Sequence, residues 1–145
     1  MNPFTLLDLP EKFDIDLGQL EHNYLEAQKA YHPDKWVSAP SNARRLAAAK
    51  AADMNAAYRQ LKNPVSRARY FLEEAGLLNK GEETISDPEL LEEIFALQEN
   101  RPDAQQVKKM AIEILENLKK SFAQNDLSKA RHLTLKLGYI LKLQG

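Results

Sequence analysis

Cysteine is absent from this sequence, and glycine is scarce, with 5 residues among 145. Without cysteine the chain has no disulfide, no thiolate metal site and no thiol nucleophile. No apolar run approaches the roughly 18 residues that suggest a membrane-spanning helix. The N-terminus also lacks the basic start of a signal or transit peptide. These absences fit a reducing compartment, and we expect a cytoplasmic protein with no membrane partner.

A concentrated charge of one sign is missing too, because 20 basic residues balance 21 acidic ones. Binding to a nucleic-acid backbone needs a concentrated basic face, so we expect no nucleic-acid partner. The sequence has no glycine-rich phosphate loop and no nucleophile–base arrangement. Its three histidines do not have metal-ligand spacing. We therefore expect neither an enzyme nor a bound cofactor or metal.

The sequence does contain long stretches rich in Ala, Leu, Glu, Lys and Gln, which favour helix. Hydrophobic residues make up 43% of the chain, enough to build a core. No run of alternating β-branched residues indicates a strand. The predicted fold class is therefore all-α.

Two helices in the N-terminal half have matching apolar seams. The first is predicted to begin near Asp16 and to end at Pro33, with the seam Leu17, Leu20, Tyr24, Ala27 and Tyr31. The second is predicted to run to about Lys62, with the seam Ala47, Ala51, Met54, Tyr58 and Leu61. A short connection between two such helices predicts an antiparallel hairpin. One short helix precedes the hairpin, and another is predicted to end at Gly76.

The rest of the chain predicts three amphipathic helices that form a small bundle. Ser86 and Glu89 have the spacing of a capping box for the first of them. The other two are predicted to begin at Asp103 and at Asp126. Residues 77–85 show no helical stripe and are interpreted as a linker. The predicted domains are thus residues 1–76 and 86–145.

The tripeptide His32-Pro33-Asp34 lies where the hairpin must turn. Proline has no amide hydrogen and fixes φ, so it ends the helix and stiffens the loop. A carboxylate held at such a tip can accept a bidentate hydrogen bond from a partner's arginine. On the tripeptide alone, ordinary turn chemistry explains Pro33 and Asp34 equally well. The matched seams on both sides favour a functional tip.

The segments Phe4–Leu9 and Tyr31–Lys35 resemble the J domain of DnaJ-type co-chaperones. Together with Trp36, Met54–Tyr58 and Asn63–Tyr70, they are similar to the HscB family. The resemblance implies an N-terminal J domain, made of a helical hairpin plus two short helices, followed by a three-helix client-binding bundle. It also implies a co-chaperone that stimulates the ATPase of an HscA-like DnaK-class chaperone. Its client would be IscU, the scaffold on which iron–sulfur clusters are assembled.

Two sets of binding residues are predicted, and the second is carried over by position from the resemblance. The chaperone-binding set is His32, Pro33, Asp34, Lys35, Lys29, Arg44 and Arg45. The client-binding set is Leu91, Glu92, Phe95, Ala96, Glu99 and Tyr139.

The predicted helix ahead of the tip has one basic residue, Lys29, against two acidic ones, Glu21 and Glu26. Electrostatic steering of this helix toward an acidic chaperone surface is therefore expected to be weak. Other basic residues near the tip would have to supply it, namely Lys35, Arg44, Arg45 and Lys50.

Two bundle helices have a second apolar stripe, formed by Leu91 and Phe95 on one helix and by Leu135, Tyr139 and Leu143 on the other. A helix that is apolar on two faces is expected to pack against other protein surface on both of them. A client face is one interpretation. Packing against the N-terminal domain, or weak self-association through this face, is another. A J-domain co-chaperone for a different client and a purely structural helical adaptor remain alternatives.

Overall fold

A computed structural model describes residues 2–81 and 87–143, and every regular element in these ranges is helical. The all-α prediction is confirmed. The α-helices are α1 (Pro3–Leu6), α2 (Leu17–Tyr31), α3 (Ser41–Lys62), α4 (Pro64–Glu74), α5 (Pro88–Glu99), α6 (Ala104–Ala123) and α7 (Leu127–Lys142), with a 3₁₀ helix at Pro33–Trp36. Within the described ranges, no helix combines the length and apolar character needed to cross a membrane.

The chain divides into two compact units, Met1–Asn63 and Pro64–Gly145. The division differs from the predicted boundary near residue 76, because α4 packs along α7 inside the second unit. A Cβ placed on Gly138 of α7 would lie 3.8 Å from the side chain of Val65 in α4. The helix that sequence analysis grouped with the hairpin therefore shares its packing with the bundle.

The segment after α4 is also attached to the second unit. Gly76 has a φ of +76° and ends α4 in the left-handed conformation, as predicted. The amide of Leu77 donates to the carbonyl of Leu72 at 2.8 Å, and Arg131 Nε donates to the carbonyl of Leu77 at 2.9 Å. Leu78 is buried. The first residues of the predicted linker are thus packed and hydrogen-bonded within the second unit. Residues 82–85 of the linker lie outside the described part of the chain.

In the first unit, Asn2 caps α1, the predicted short helix ahead of the hairpin, and its side chain accepts from the amides of Phe4 and Thr5. The predicted seam of α2 is partly wrong. Leu20 is buried, but Leu17 is 54% exposed. Two residues just ahead of the helix, Phe13 and Ile15, are buried instead. The apolar cover of this end of the hairpin therefore comes from the incoming loop rather than from the first turn of α2.

The seam of α3 agrees with the prediction. Ala47, Met54 and Leu61 are buried, and Ala51 and Tyr58 are half-buried. Small side chains near the tip end of α3 allow the two helices to approach closely. The predicted antiparallel hairpin is formed by α2 and α3, and the 3₁₀ helix connects them.

In the second unit, the bundle helices begin at aspartate caps. Asp103 and Asp126 are the predicted starts of α6 and α7. Asp103 forms a capping box with Gln106, and Asp126 caps α7. The predicted partner of Glu89, Ser86, lies outside the described residues. Asp87 occupies the cap position of α5 and accepts from the amide of Glu89 at 3.0 Å.

Helix α7 is central to the second unit, since it packs against α4, α5 and α6. Its core residues include Ala130, Leu137 and Ile140, which are fully buried. Leu135, from the second apolar stripe, is only 7% exposed. The two-faced apolar pattern of α7 thus corresponds to packing within this unit on more than one side.

The difference in burial between Leu17 and Leu20 can be tested by measuring stability. Replacing Leu20 by alanine leaves a cavity in the hairpin, and we expect a loss of about 2–5 kcal/mol in unfolding free energy. Leu17→Ala removes a largely exposed side chain, and we expect a change within about 0.5 kcal/mol. Denaturant titration followed by the fluorescence of Trp36, the single tryptophan, measures both. Equal losses of unfolding free energy in the two variants would contradict the structure and would show that Leu17 packs in the hairpin seam as the sequence predicted.

Candidate functional site

The tip between α2 and α3 is organised around His32. The side chain of His32 caps the 3₁₀ helix, with Nδ1 accepting from the backbone amide of Asp34 at 3.2 Å. The Asp34 carboxylate lies 3.6 Å from the same nitrogen, which is too far for a hydrogen bond. In this contact Nδ1 is the acceptor, so the imidazole holds the first turn of the 3₁₀ helix through its ring nitrogen. The Asp34 side chain, 88% exposed, is left available to a partner.

Trp36 stabilises the C-terminal end of the tip by a hydrogen bond to α2. Its Nε1 donates to the carbonyl of Ala30 at 3.1 Å, and the amide of Lys35 donates to the carbonyl of His32 at 3.0 Å. The last carbonyls of a helix lack partners within the helix, and Trp36 supplies one for α2. The tip is therefore a folded turn held at both ends.

An open groove of about 530 Å³ lies beside the tip. Its polar margin contains five of the predicted chaperone-binding residues, namely Lys29, His32, Pro33, Asp34 and Lys35. Leu25, which is 46% exposed, adds apolar surface. Ala51 and Asn55 line the groove from the α3 side. The structure thus brings these predicted residues together around one concave surface that both hairpin helices contribute to.

Two tyrosines fix the relative position of α2 and α3 next to this groove. The rings of Tyr24 and Tyr58 stack with centroids 3.9 Å apart and planes 7° from parallel. Each hydroxyl donates across the hairpin, Tyr24 to Asn55 Oδ1 at 2.6 Å and Tyr58 to the carboxylate of Glu21. The hydrogen bond to Glu21 stabilises the neutral phenol and raises the pKa of Tyr58 above its ordinary value. The two bonds are reciprocal, since each helix supplies one donor and one acceptor.

Arg44 and Arg45 lie apart from the groove lining and are exposed near the N-terminus of α3, at the end of its first turn and the beginning of its second. This turn has no acidic residue and no side-chain cap. Positive side chains near a helix N-terminus are opposed by the helix dipole, so α3 gains no stability from them there. They extend the positive potential of Lys29 and Lys35 to the beginning of α3, outside the groove.

The predicted client-binding residues lie on the side of α5 away from the bundle core. Leu90 and Ile94 are buried, whereas Phe95 is 57% exposed. Leu91 is half-buried, and the remaining α5 residues of the set are exposed, namely Glu92, Ala96 and Glu99. Tyr139 on α7 is half-buried. The second apolar stripe of α5 thus remains at the surface, unlike that of α7.

Sequence analysis missed the role of His132, which it considered only as a metal ligand. His132 Nε2 lies 3.0 Å from Glu93 Oε2 and Nδ1 lies 3.3 Å from Asp87 Oδ2. The hydrogen bond with His132 lowers the pKa of Asp87 below its ordinary value. These partners are 39 and 45 positions distant in sequence, so no local signal could have found them. Across residues 2–81 and 87–143, no group of three or more histidine, cysteine or acidic residues could hold a metal ion.

No family model matches the chain. The chain is 35% identical over 159 residues to a "Co-chaperone protein HscB homolog" of Photobacterium profundum, covering 99% of this chain and 93% of that protein. It is 43% identical over 104 residues to the homolog of the same name from Aliivibrio salmonicida. That match covers 71% of this chain and 61% of the relative, so it spans less than two thirds of the relative's length.

Two solved structures have a similar fold. "Chaperone HscB from Vibrio cholerae" aligns with a TM-score of 0.81 at 30% identity, covering 99% of this chain and 93% of that one. The human co-chaperone protein HscB aligns with a TM-score of 0.86 at 25% identity, covering 99% and 79% of the two chains. Both matches extend over the hairpin and the bundle.

The role given to Trp36 can be checked without any partner. In Trp36→Phe the ring is kept and the hydrogen bond to Ala30 is lost, so the 3₁₀ turn opens more often. We expect the amide of Lys35 to exchange with solvent about three- to tenfold faster, the range for one neutral hydrogen bond. Hydrogen exchange followed by NMR measures this, with the amides of α6 as the internal control. An unchanged rate at Lys35 would show that Trp36 does not hold the tip.

Proposed function

The chain belongs to the HscB co-chaperone family, and from this membership we propose that it stimulates the ATPase of an HscA-like DnaK-class chaperone. In the same proposal it delivers an IscU-like scaffold protein to that chaperone in the cytoplasm. The observation that carries the proposal is the tip, where a folded turn presents the exposed carboxylate of Asp34. The proposed J domain covers residues 1–76, and the proposed client-binding bundle covers residues 86–145.

The proposed chemistry at the tip is recognition of a cation. An arginine of the chaperone can place two N–H groups on the two oxygens of the Asp34 carboxylate. His32 acts as a positioning residue, because its Nδ1 holds the Asp34 amide and so fixes where the carboxylate begins. Pro33 limits the alternatives by fixing φ. The turn therefore loses little conformational entropy when the arginine binds.

The surrounding cations favour an acidic chaperone surface. Lys29 and Lys35 flank the groove, and Arg44 and Arg45 extend the positive potential beyond it. The basic side chain on α2 is partly offset, since Lys29 Nζ lies 3.4 Å from Glu26 Oε1. Both groups are well exposed, and such a pair is weak in water. Steering in this protein is therefore assigned chiefly to the tip and to the beginning of α3.

The proposed client face is the outer side of α5, with Tyr139 beside it on α7. Phe95 supplies exposed aromatic area of the kind that dominates binding energies at protein interfaces. Exposed polar and small residues surround it on the same helix, namely Glu92, Ala96 and Glu99. An apolar centre with a polar margin is typical of a surface that binds a folded protein.

Asp34→Asn is the test of the tip. The amide keeps the shape of the side chain but removes the charge that an arginine would pair with. We expect a loss of about 2–5 kcal/mol in the coupling to the chaperone, seen as little or no stimulation in steady-state ATPase assays with an HscA-like protein. The matched control is Glu113→Gln, which neutralises another exposed carboxylate on α6 and should stimulate like the parent. Equal stimulation by Asp34→Asn and the parent would exclude the proposed mechanism.

Phe95→Ala and Leu91→Ala test the client face. We expect each to weaken binding to an IscU-like scaffold by roughly 5- to 30-fold, with the larger effect at Phe95 because more of its side chain is exposed. Isothermal titration calorimetry gives the affinities. Ile112→Ala is the matched control, since Ile112 is 60% exposed on α6 and lies outside the proposed face.

Three results would change the assignment. Unchanged affinity in both α5 variants would move the client site elsewhere on the molecule. An equal loss in Ile112→Ala would extend the site onto α6. If the parent stimulates the chaperone but does not bind the scaffold, the protein is a J-domain co-chaperone for a different client.

A further inference from the structure

Helix α6 has an apolar residue, Ile112, on the side that the bundle does not use. Its exposed fraction is 60%, slightly above the 57% of Phe95. The core residues Val107, Ile114 and Leu118 are buried, and they lie about 120 to 160° round the helix from Ile112 at about 100° per residue. Ile112 therefore lies on the side of α6 opposite the bundle core.

Charged side chains surround Ile112 in a definite order. Two lysines precede it and two glutamates follow it, and all four residues are exposed, namely Lys108, Lys109, Glu113 and Glu116. They lie within about 100° of Ile112 round the helix. These five residues are called the α6 face below. The α6 face is thus basic toward the N-terminus of the helix and acidic toward its C-terminus.

An open groove of about 680 Å³ follows the basic half of the α6 face. Its lining comes from α6 and the cap of that helix, and includes Gln105, Gln106 and Ile112. A second helix that lies along α6 can therefore place apolar atoms beside Ile112 without displacing another element of the bundle.

A second copy of the same helix is complementary to this order of charges. When two α6 helices pair antiparallel about a two-fold axis at Ile112, positions before Ile112 in one copy face positions after it in the other. Lys108 and Lys109 of each copy then lie level with Glu116 of the partner subunit, and Glu113 lies beside the same contact. A parallel pair would instead place lysines against lysines and glutamates against glutamates.

The other charged residues on this side of α6 do not oppose the arrangement. In the antiparallel pair, Lys119 lies level with Gln105 of the partner subunit, and Lys120 lies level with Ala104 of the partner subunit. Within its own chain, Lys119 Nζ lies 3.5 Å from Glu116 Oε1, and Lys119 has a further interaction as well. The carboxylate of Glu116 is 60% exposed and has two acceptor oxygens. It can therefore keep Lys119 and bind a lysine of the second copy.

We propose that the α6 face is a self-association surface, through which two copies of this chain pair with their α6 helices antiparallel. A contact between single helices buries less than the roughly 1,200–2,000 Å² of a stable complex. The dimer is therefore weak, with a dissociation constant on the order of 0.1–1 mM. At low micromolar concentration the chain is monomeric, so Glu113→Gln and Ile112→Ala keep their use as controls above. The proposal is independent of the proposed function.

Sedimentation equilibrium of the full chain measures the association directly. Between about 10 μM and 1 mM protein, the weight-average mass should rise from that of the monomer toward that of the dimer. The rise should be smaller in about 0.5 M salt than in about 0.05 M salt, because salt screens exposed charge pairs. A chain that stays monomeric at the highest concentration in low salt would overturn the proposal.

Lys109→Glu and Glu116→Lys test the pairing of the two copies. Each variant alone places like charges together at both symmetry-related contacts, so we expect an association constant roughly tenfold lower than that of the parent. An equimolar mixture of the two variants restores opposite charges at both contacts and should associate like the parent. Lys129→Glu is the matched control, since it reverses an exposed lysine on α7 and should leave the association unchanged. A mixture that associates no more than either variant alone would exclude the antiparallel pair.

Ile112→Ala and Phe95→Ala distinguish the α6 face from the client face on α5. Ile112→Ala removes apolar area from both copies at the centre of the proposed contact, and we expect several-fold weaker self-association. Phe95→Ala should self-associate like the parent. The reverse result, with a loss only in Phe95→Ala, would overturn the proposal and place self-association on the client face.

Discussion

Presentation of the tip depends on how closely α2 and α3 approach each other. The turn between them is only a 3₁₀ helix of four residues with a short loop after it, so the spacing of the two helices determines its shape. Alanines at positions 47 and 51 permit the approach, and the reciprocal bonds of Tyr24 and Tyr58 hold it. Without this contact, His32 could cap its turn but could not point Asp34 in a fixed direction.

The two proposed binding surfaces are built by different physical means. At the tip, a polar turn is rigid because its hydrogen bonds are satisfied locally, which leaves one carboxylate for a partner. On α5, one face is buried by Leu90 and Ile94, and the opposite face has surplus apolar area. The tip can form a directional, charged hydrogen bond with a partner, whereas the outer face of α5 can bury apolar area against one. Each lies in its own compact unit.

Periodicity and capping chemistry predicted every α-helix of the described chain, the cap at Asp103 and the position of the tip. They failed where burial depends on an irregular loop or where the deciding contact is distant in sequence. Leu17 fits the α2 stripe, yet Phe13 and Ile15 are buried in its stead because a loop ahead of the helix folds over that end. The pairing of Tyr24 with Asn55, and of His132 with two carboxylates, likewise joins residues that no local pattern connects. Prediction of the client residues came from the family resemblance and stays a prediction.

The grouping of α4 with the bundle changes what can be exchanged between related proteins. A chimaera joined after Gly76 would separate α4 from α7 and uncover the apolar surface around Gly138 and Val65. A junction at Asn63–Pro64 would keep each hydrophobic core with the helices that build it. The modular piece of this molecule is therefore the hairpin with its leading loop, a smaller part than the J domain that its motifs define.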